Sequence, residues 1–210
     1  MTAANVYQQR PDNGSKAESP LTHAGFADLV GKGAPGAGVI LRERKLLGHL
    51  VLRGDSQDPA FVAGVSKAVG LEFPAPLSVV IDGERSLQWI GPDEFLLVVA
   101  TGEEFATEQA LRKELDGQHI QVVNVSGGQT LVEMTGANVR DVLMKSSDYD
   151  VHPSNFTVGK AVGTHFAKTQ LYIRRTGEET WELVVRRSFA DYIWAWLQDA
   201  SAEFGLSIKG

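Results

Sequence analysis

Cysteine is missing from all 210 residues, and its absence removes several kinds of chemistry at once. A disulfide framework, a thiolate nucleophile, iron–sulfur ligation and a cysteine-type zinc site are all excluded. Long apolar runs are missing too, with nothing near the roughly 20 residues needed to cross a bilayer. The first residues lack the apolar stretch of a signal peptide, so the chain is expected in the cytoplasm, neither exported nor embedded. On that expectation Asn124-Val125-Ser126 matches the glycosylation sequon only by accident. Positive charge is in short supply: 20 Lys and Arg face 26 Asp and Glu, a formal net charge of −6. That balance argues against nucleic acid, whose phosphates need a clustered basic face.

Three motifs fail on context. Gly31, Gly33 and Gly36 spell G-x-G-x-x-G, with Asp55 further on, but the dinucleotide fingerprint needs a strand before it and a helix after. Here Pro35 interrupts and a strand-like VILRERK follows, so a Gly/Pro linker is the better reading. The five histidines, His23, His49, His119, His152 and His165, have no pair at i, i+4 spacing, and no metal site is expected. Ser66 lies in Gly-Val-Ser-Lys-Ala inside a helical pattern, whereas a nucleophile elbow requires a sharp strand-to-helix turn.

What remains is ample for one core, since 43% of the residues are hydrophobic. Residues 1–20 are polar apart from Val6 and Tyr7 and read as a flexible arm, either frayed or laid on a partner. Residues 21–210 read as a single compact domain of two pseudo-repeat lobes, about 38–118 and 119–206. In the first, VILRERK, LGHLVLRG, SLQWI and EFLLVVA are strand-like, and PAFVAGVSKAV and FATEQALRKEL are helical. The second replays that order with HIQVVNVS, QTLVEMTG, ANVRDVLMKS, KTQLYIRRT, WELVVRRS and a final aromatic helix. The fold class expected is α+β: two tandem ferredoxin-like split β-α-β units with antiparallel sheets.

Three stretches hold candidate functional residues. DYDVHPSNF puts Asp148, Asp150 and His152 in a polar loop; an Asp and a His two apart suit general acid–base work, and the same residues also make turns without catalysis. Arg174, Arg175, Arg186 and Arg187 sit on the hairpin, where they either receive an anion or pair across strands with Glu178, Glu179 and Glu182. In SFADYIWAWLQD, Phe189, Tyr192, Ile193, Trp196 and Leu197 form one apolar stripe behind an N-cap at Ser188, with Asp191 completing a capping box. Trp194 lies about 130° from that stripe and either packs under a neighbouring loop or anchors a partner. Trp194, Tyr7, Arg174 and Arg186 are the interface candidates.

LQWIGPDEFLLVV, VVNVSGGQTLVEMTGANVRDVLMKSS, DVHPSNF and RRSFADYIWAWLQDA, in that order, resemble the gamma subunits of heterotetrameric sarcosine oxidase. The likeness runs from about Leu21 to Leu206. It implies a fold related to the glycine-cleavage T-protein, an aminomethyltransferase, and so accounts for the repeated units. It also implies membership of a complex with alpha, beta and delta subunits that oxidatively demethylates sarcosine to glycine, forming hydrogen peroxide and 5,10-methylenetetrahydrofolate. FAD, FMN, NAD and zinc are then expected on the partner subunits and none on this chain. Asp148 or Asp150 falls where the T-protein relatives carry a catalytic acid near folate, but the spacing to Gly159 and the inserted His-Pro depart from that pattern, and no catalytic residue is carried over. A stand-alone folate-binding one-carbon protein and a small-ligand regulatory module are the alternatives.

Overall fold

The computed structural model describes residues 17–210. Residues 1–16 of the expected arm, with Tyr7, lie outside the described residues. Of its last four residues, Ser19 and Pro20 are buried: the Ser19 hydroxyl donates to Glu43 at 2.9 Å and the Leu21 N–H donates to the same carboxylate at 3.3 Å.

In chain order the elements are α1 (Phe26–Leu29), β1 (Val39–Arg44), β2 (Gly48–Arg53), α2 (Pro59–Val69), β3 (Val79–Asp82), β4 (Arg85–Gly91), β5 (Glu94–Val99) and α3 (Glu104–Glu114). Then come β6 (Gln121–Asn124), β7 (Gln129–Thr135), α4 (Val139–Ser146), β8 (Ala161–Phe166), β9 (Thr169–Arg175), β10 (Thr180–Arg186), α5 (Ala190–Ser201) and β11 (Leu206–Ile208). Local chemistry accounts for the boundaries. α2 starts at Asp58, whose carboxylate accepts from the Ala60 N–H, has Pro59 in its first turn, and ends at Gly70 in the left-handed region. Phe61, Val65 and Val69, four apart, form its buried face. β1 alternates buried and half-buried residues along its length, the period of a strand covered on one face.

Two sheets result, one ordered β11-β1-β7-β10-β9-β8 and the other β3-β4-β5-β2-β6. All pairings are antiparallel except β1 with β11. Each half of the chain lends one strand to the other's sheet. β1 pairs with β7, whereas β6, from the second half, pairs with β2. The β1–β2 link and the β6–β7 link therefore cross between the sheets side by side. They are tied together where the His49 N–H donates to the Ser126 hydroxyl at 2.9 Å and the Val125 N–H to the His49 carbonyl at 2.8 Å.

Strand parity sorts the core into layers. Phe95, Leu97 and Val99 of β5 join Phe61, Val65 and Leu111 of α2 and α3 in one cluster. Leu96 and Val98 face the opposite way and meet Leu131 of β7 and Val184 of β10. Val142, Leu143, Ile193 and Leu197 of α4 and α5 pack on the far face of the six-stranded sheet with Val132, Leu183 and Val185. The order is helices, sheet, sheet, helices. Among the described residues, no helix is long and apolar enough to cross a membrane.

Candidate functional site

DYDVHPSNF leaves α4 as a loop pinned by Val151 and Phe156, both buried. Its polar groups serve its own backbone. Asp150 Oδ1 accepts from the His152 N–H at 2.9 Å, closing an Asx turn, and Asn155 Nδ2 donates to the Asp150 carbonyl. His152 Nδ1 lies 2.7 Å from the Ser154 hydroxyl. Asp148 points elsewhere: it accepts from Thr164 Oγ1 at 2.9 Å and approaches His165 Nδ1 at 3.6 Å. The Asp–His pair in this region is thus Asp148 with His165, and the three expected residues do not converge on one centre. Sequence spacing hid this pair because Asp148 and His165 meet only when β8 folds back on the end of α4. Both side chains are about two-thirds exposed, so water screens the pair.

The arginine hairpin divides in two. Arg174 is 3% exposed; its Nε donates to Glu182 at 2.6 Å and its Nη1 to Ser86 on β4 at 2.9 Å, joining the two sheets. Glu182 stands opposite Arg174 in the β9–β10 register and also lies 3.7 Å from Arg44. Burial pulls the Arg174 guanidinium below its ordinary pKa, and the Glu182 charge opposes that pull. His49 shares this seam: burial, with a smaller push from Arg174, lowers its pKa to about 4 against a hydrogen bond to the Leu47 carbonyl. Arg175 is buried too, donating to the carbonyls of Phe156 and Glu178. Arg186 and Arg187 are exposed and make no ion pair among the described residues. Of the two hairpin candidates, Arg174 therefore joins the lobes from inside, and only Arg186 is open to solvent.

The aromatic helix begins differently from expectation. A 3-10 turn over Arg187–Phe189 precedes α5, and no side chain caps either element. Asp191 instead meets His23. This turn moves Phe189 off the helical stripe, leaving it 39% exposed, whereas Ile193 and Leu197 are buried. Trp194 is half-buried against Phe26, ring centroids 4.4 Å apart, so the segment after residue 21 covers it. Trp196 donates from its indole to the Ser146 hydroxyl at 2.9 Å, and the Tyr192 hydroxyl accepts from the Lys168 N–H. No group of three or more His, Asp or Glu gathers among the described residues to hold a metal ion.

Comparison with known proteins matches this arrangement along nearly its whole length. The sarcosine oxidase, gamma subunit family matches residues 53–203. A sarcosine oxidase subunit gamma from Corynebacterium sp. (strain P-1) is 34% identical over 89% of this chain and 90% of its own; one from Arthrobacter sp. is 31% identical over 89% and 90%. Among solved structures, a chain of the heterotetrameric sarcosine oxidase of Corynebacterium sp. U-96, in complex with pyrrole 2-carboxylate, superposes with a TM-score of 0.81 at 31% identity, covering 90% of this chain and 96% of that one. The glycine cleavage system aminomethyltransferase T of Bartonella henselae shares the fold alone, with a TM-score of 0.61 at 16% identity over 83% of this chain and 48% of that one. The T-protein-like α+β architecture is accordingly present here, and on the breadth of these matches the chain belongs to the sarcosine oxidase gamma subunit family.

Proposed function

We propose that this chain is the gamma subunit of a heterotetrameric sarcosine oxidase, an accessory subunit in the oxidative demethylation of sarcosine to glycine. Hydrogen peroxide and 5,10-methylenetetrahydrofolate are the accompanying products. The observation that carries the reading is the near-complete correspondence with a chain of a solved heterotetramer, 90% of one against 96% of the other. In this reading the alpha, beta and delta subunits hold FAD, FMN, NAD and zinc, and the assembly works in the cytoplasm. Tyr7 is retained as a contact with partner subunits.

The internal chemistry fits a structural role. Arg174 and Arg175 are committed to ion pairs and carbonyls inside the fold, and Asp150 is committed to its own turn. A folate-handling chain would need such groups free to meet a ligand; of the candidate acids, Asp148 alone faces another strand, through Thr164. The stand-alone one-carbon reading is left with a shared fold, and a fold hosts many functions.

Native mass spectrometry of the tagged chain purified from its own host, with a visible spectrum of the same sample, tests the assignment. Three further chains and a flavin spectrum are expected, with a colourless product when the chain is expressed separately. A lone colourless chain recovered under gentle, low-salt conditions would overturn it.

A further inference from the structure

Beyond the end of β4, where the five-stranded sheet stops covering the six-stranded one, a cavity of about 270 Å³ opens on the strands β7, β10, β9 and β8. Its volume suits a small organic molecule rather than a large cofactor. Strand register lays out its floor. Val184 stands opposite Leu131 and Tyr172, and Tyr172 stands opposite Gly163. Gly163 has a packing reason to be glycine, since a Cβ there would come within 3.0 Å of the Tyr172 ring. One step along the same face lie Gln129, Arg186, Gln170 and His165, with Arg186 paired to Gln129 and Gln170 to His165. An apolar and aromatic row thus borders a row of hydrogen-bonding groups, under a lip formed by Ile90.

Three features of the polar row define a ligand. The Arg186 guanidinium is exposed and forms no ion pair among the described residues. Gln129 Oε1 is buried with no hydrogen-bond partner among them, a costly state that an incoming donor would relieve. The two are cross-strand neighbours, about 5 Å apart at the backbone, so one small ligand can reach both side chains at once. Tyr172 supplies a protonated wall, its hydroxyl pKa raised by burial and by Glu94.

We infer that this cavity binds a small α-substituted carboxylic acid with an apolar side chain: its carboxylate lies on Arg186, its α-hydroxyl or α-amino donor on Gln129 Oε1, and its apolar group against Val184, Tyr172 and Ile90. The site does not depend on the assembly proposed above, because all its groups come from this one chain.

Mandelate, phenylacetate and mandelamide test the inference by titration into the full-length chain, or into the complex in which it is purified, read by saturation-transfer NMR. Phenylacetate lacks the α-donor and mandelamide lacks the charge. Mandelate is expected to bind about tenfold more tightly than either. Arg186→Gln should weaken mandelate about tenfold and leave mandelamide unchanged, while Gln129→Leu should bring mandelate down to phenylacetate. Unchanged amide dispersion verifies that each variant is folded. Equal binding of the three compounds, binding indifferent to Arg186→Gln, or no transfer to mandelate would each overturn the inference. None of those results would bear on whether the chain joins a heterotetramer.

Discussion

His49 should make this chain acid-labile in a way that a single substitution removes. The imidazole is 1% exposed, its Nδ1 lies 3.0 Å from the Leu47 carbonyl, and its Nε2 has no hydrogen-bond partner among the described residues. Burial, with a contribution from the Arg174 charge, holds its pKa near 4 rather than 6.5. Below pH 6.5 the unfolded chain takes up a proton that the folded chain refuses. The unfolded state then binds more protons than the native one, so stability falls as pH falls. The loss begins as pH drops through 6.5 and is complete near pH 4; the 2.5-unit difference amounts to about 3 kcal/mol in total. Between pH 7 and pH 5 it amounts to about 2 kcal/mol.

Urea titrations followed by tryptophan fluorescence, from pH 7.5 down to pH 5, measure this directly. His49→Asn keeps an amide nitrogen near the Nδ1 position but carries no titrating group. The variant will have its own stability at pH 7, so the decisive quantity is the difference in pH slope. The natural chain should lose about 2 kcal/mol more than the variant between pH 7 and pH 5. Parallel slopes would refute the reasoning, since they would mean that His49 takes up its proton as readily in the folded protein as in the unfolded one.

Three further expectations can be checked by the same denaturation assay. Arg174→Ala leaves Glu182 buried with only the longer 3.7 Å contact to Arg44 and should cost about 3 kcal/mol, whereas Arg174→Met with Glu182→Leu should come within about 2 kcal/mol of the natural chain; equal losses in both would remove the ion-pair argument. Gly136 has a φ of 121°, and a Cβ there would lie 2.4 Å from the Gly38 carbonyl oxygen, so Gly136→Ala should cost at least about 2 kcal/mol, and an unchanged midpoint would contradict that geometry. Fragments 17–118 and 119–210 should each be unfolded by circular dichroism and recover structure when mixed, because β1 and β6 each complete the other half's sheet; cooperative unfolding of either fragment alone would show that strand exchange is not needed.

Local pattern made much of this fold legible, and it failed where the deciding interaction was distant. α2 could be read from Pro59, Gly70 and the spacing of Phe61, Val65 and Val69, all within one short segment. β3, β8 and β11 escaped: β3 and β11 have only four and three residues, and Gly163 interrupts the apolar alternation of β8 even though it pairs with the neighbouring β9; β11 holds its place by pairing with the distant β1. The exchange of β1 and β6 is invisible to any reading that groups neighbours, since short links can turn back within a sheet or cross to another. The candidate residues divide along the same line. Asp150 and His152 share a local turn that their spacing suggests, but Asp148 finds His165 and Arg174 finds Ser86 only through tertiary contact.

The seam between the sheets gives the proposed accessory role a physical basis. It buries Arg174, Glu182 and His49 beside Leu96, Val98, Leu131 and Val184, where ionic groups contribute less to stability than apolar ones of equal size. What such groups impose is register, because a guanidinium that must reach both Glu182 on β10 and Ser86 on β4 allows the sheets little sliding. A subunit whose task is to hold partners in fixed relation needs its two sheets fixed relative to each other. The crossing links tied at His49 and Ser126 add a second constraint on the same motion, so the two sheets should move as one body.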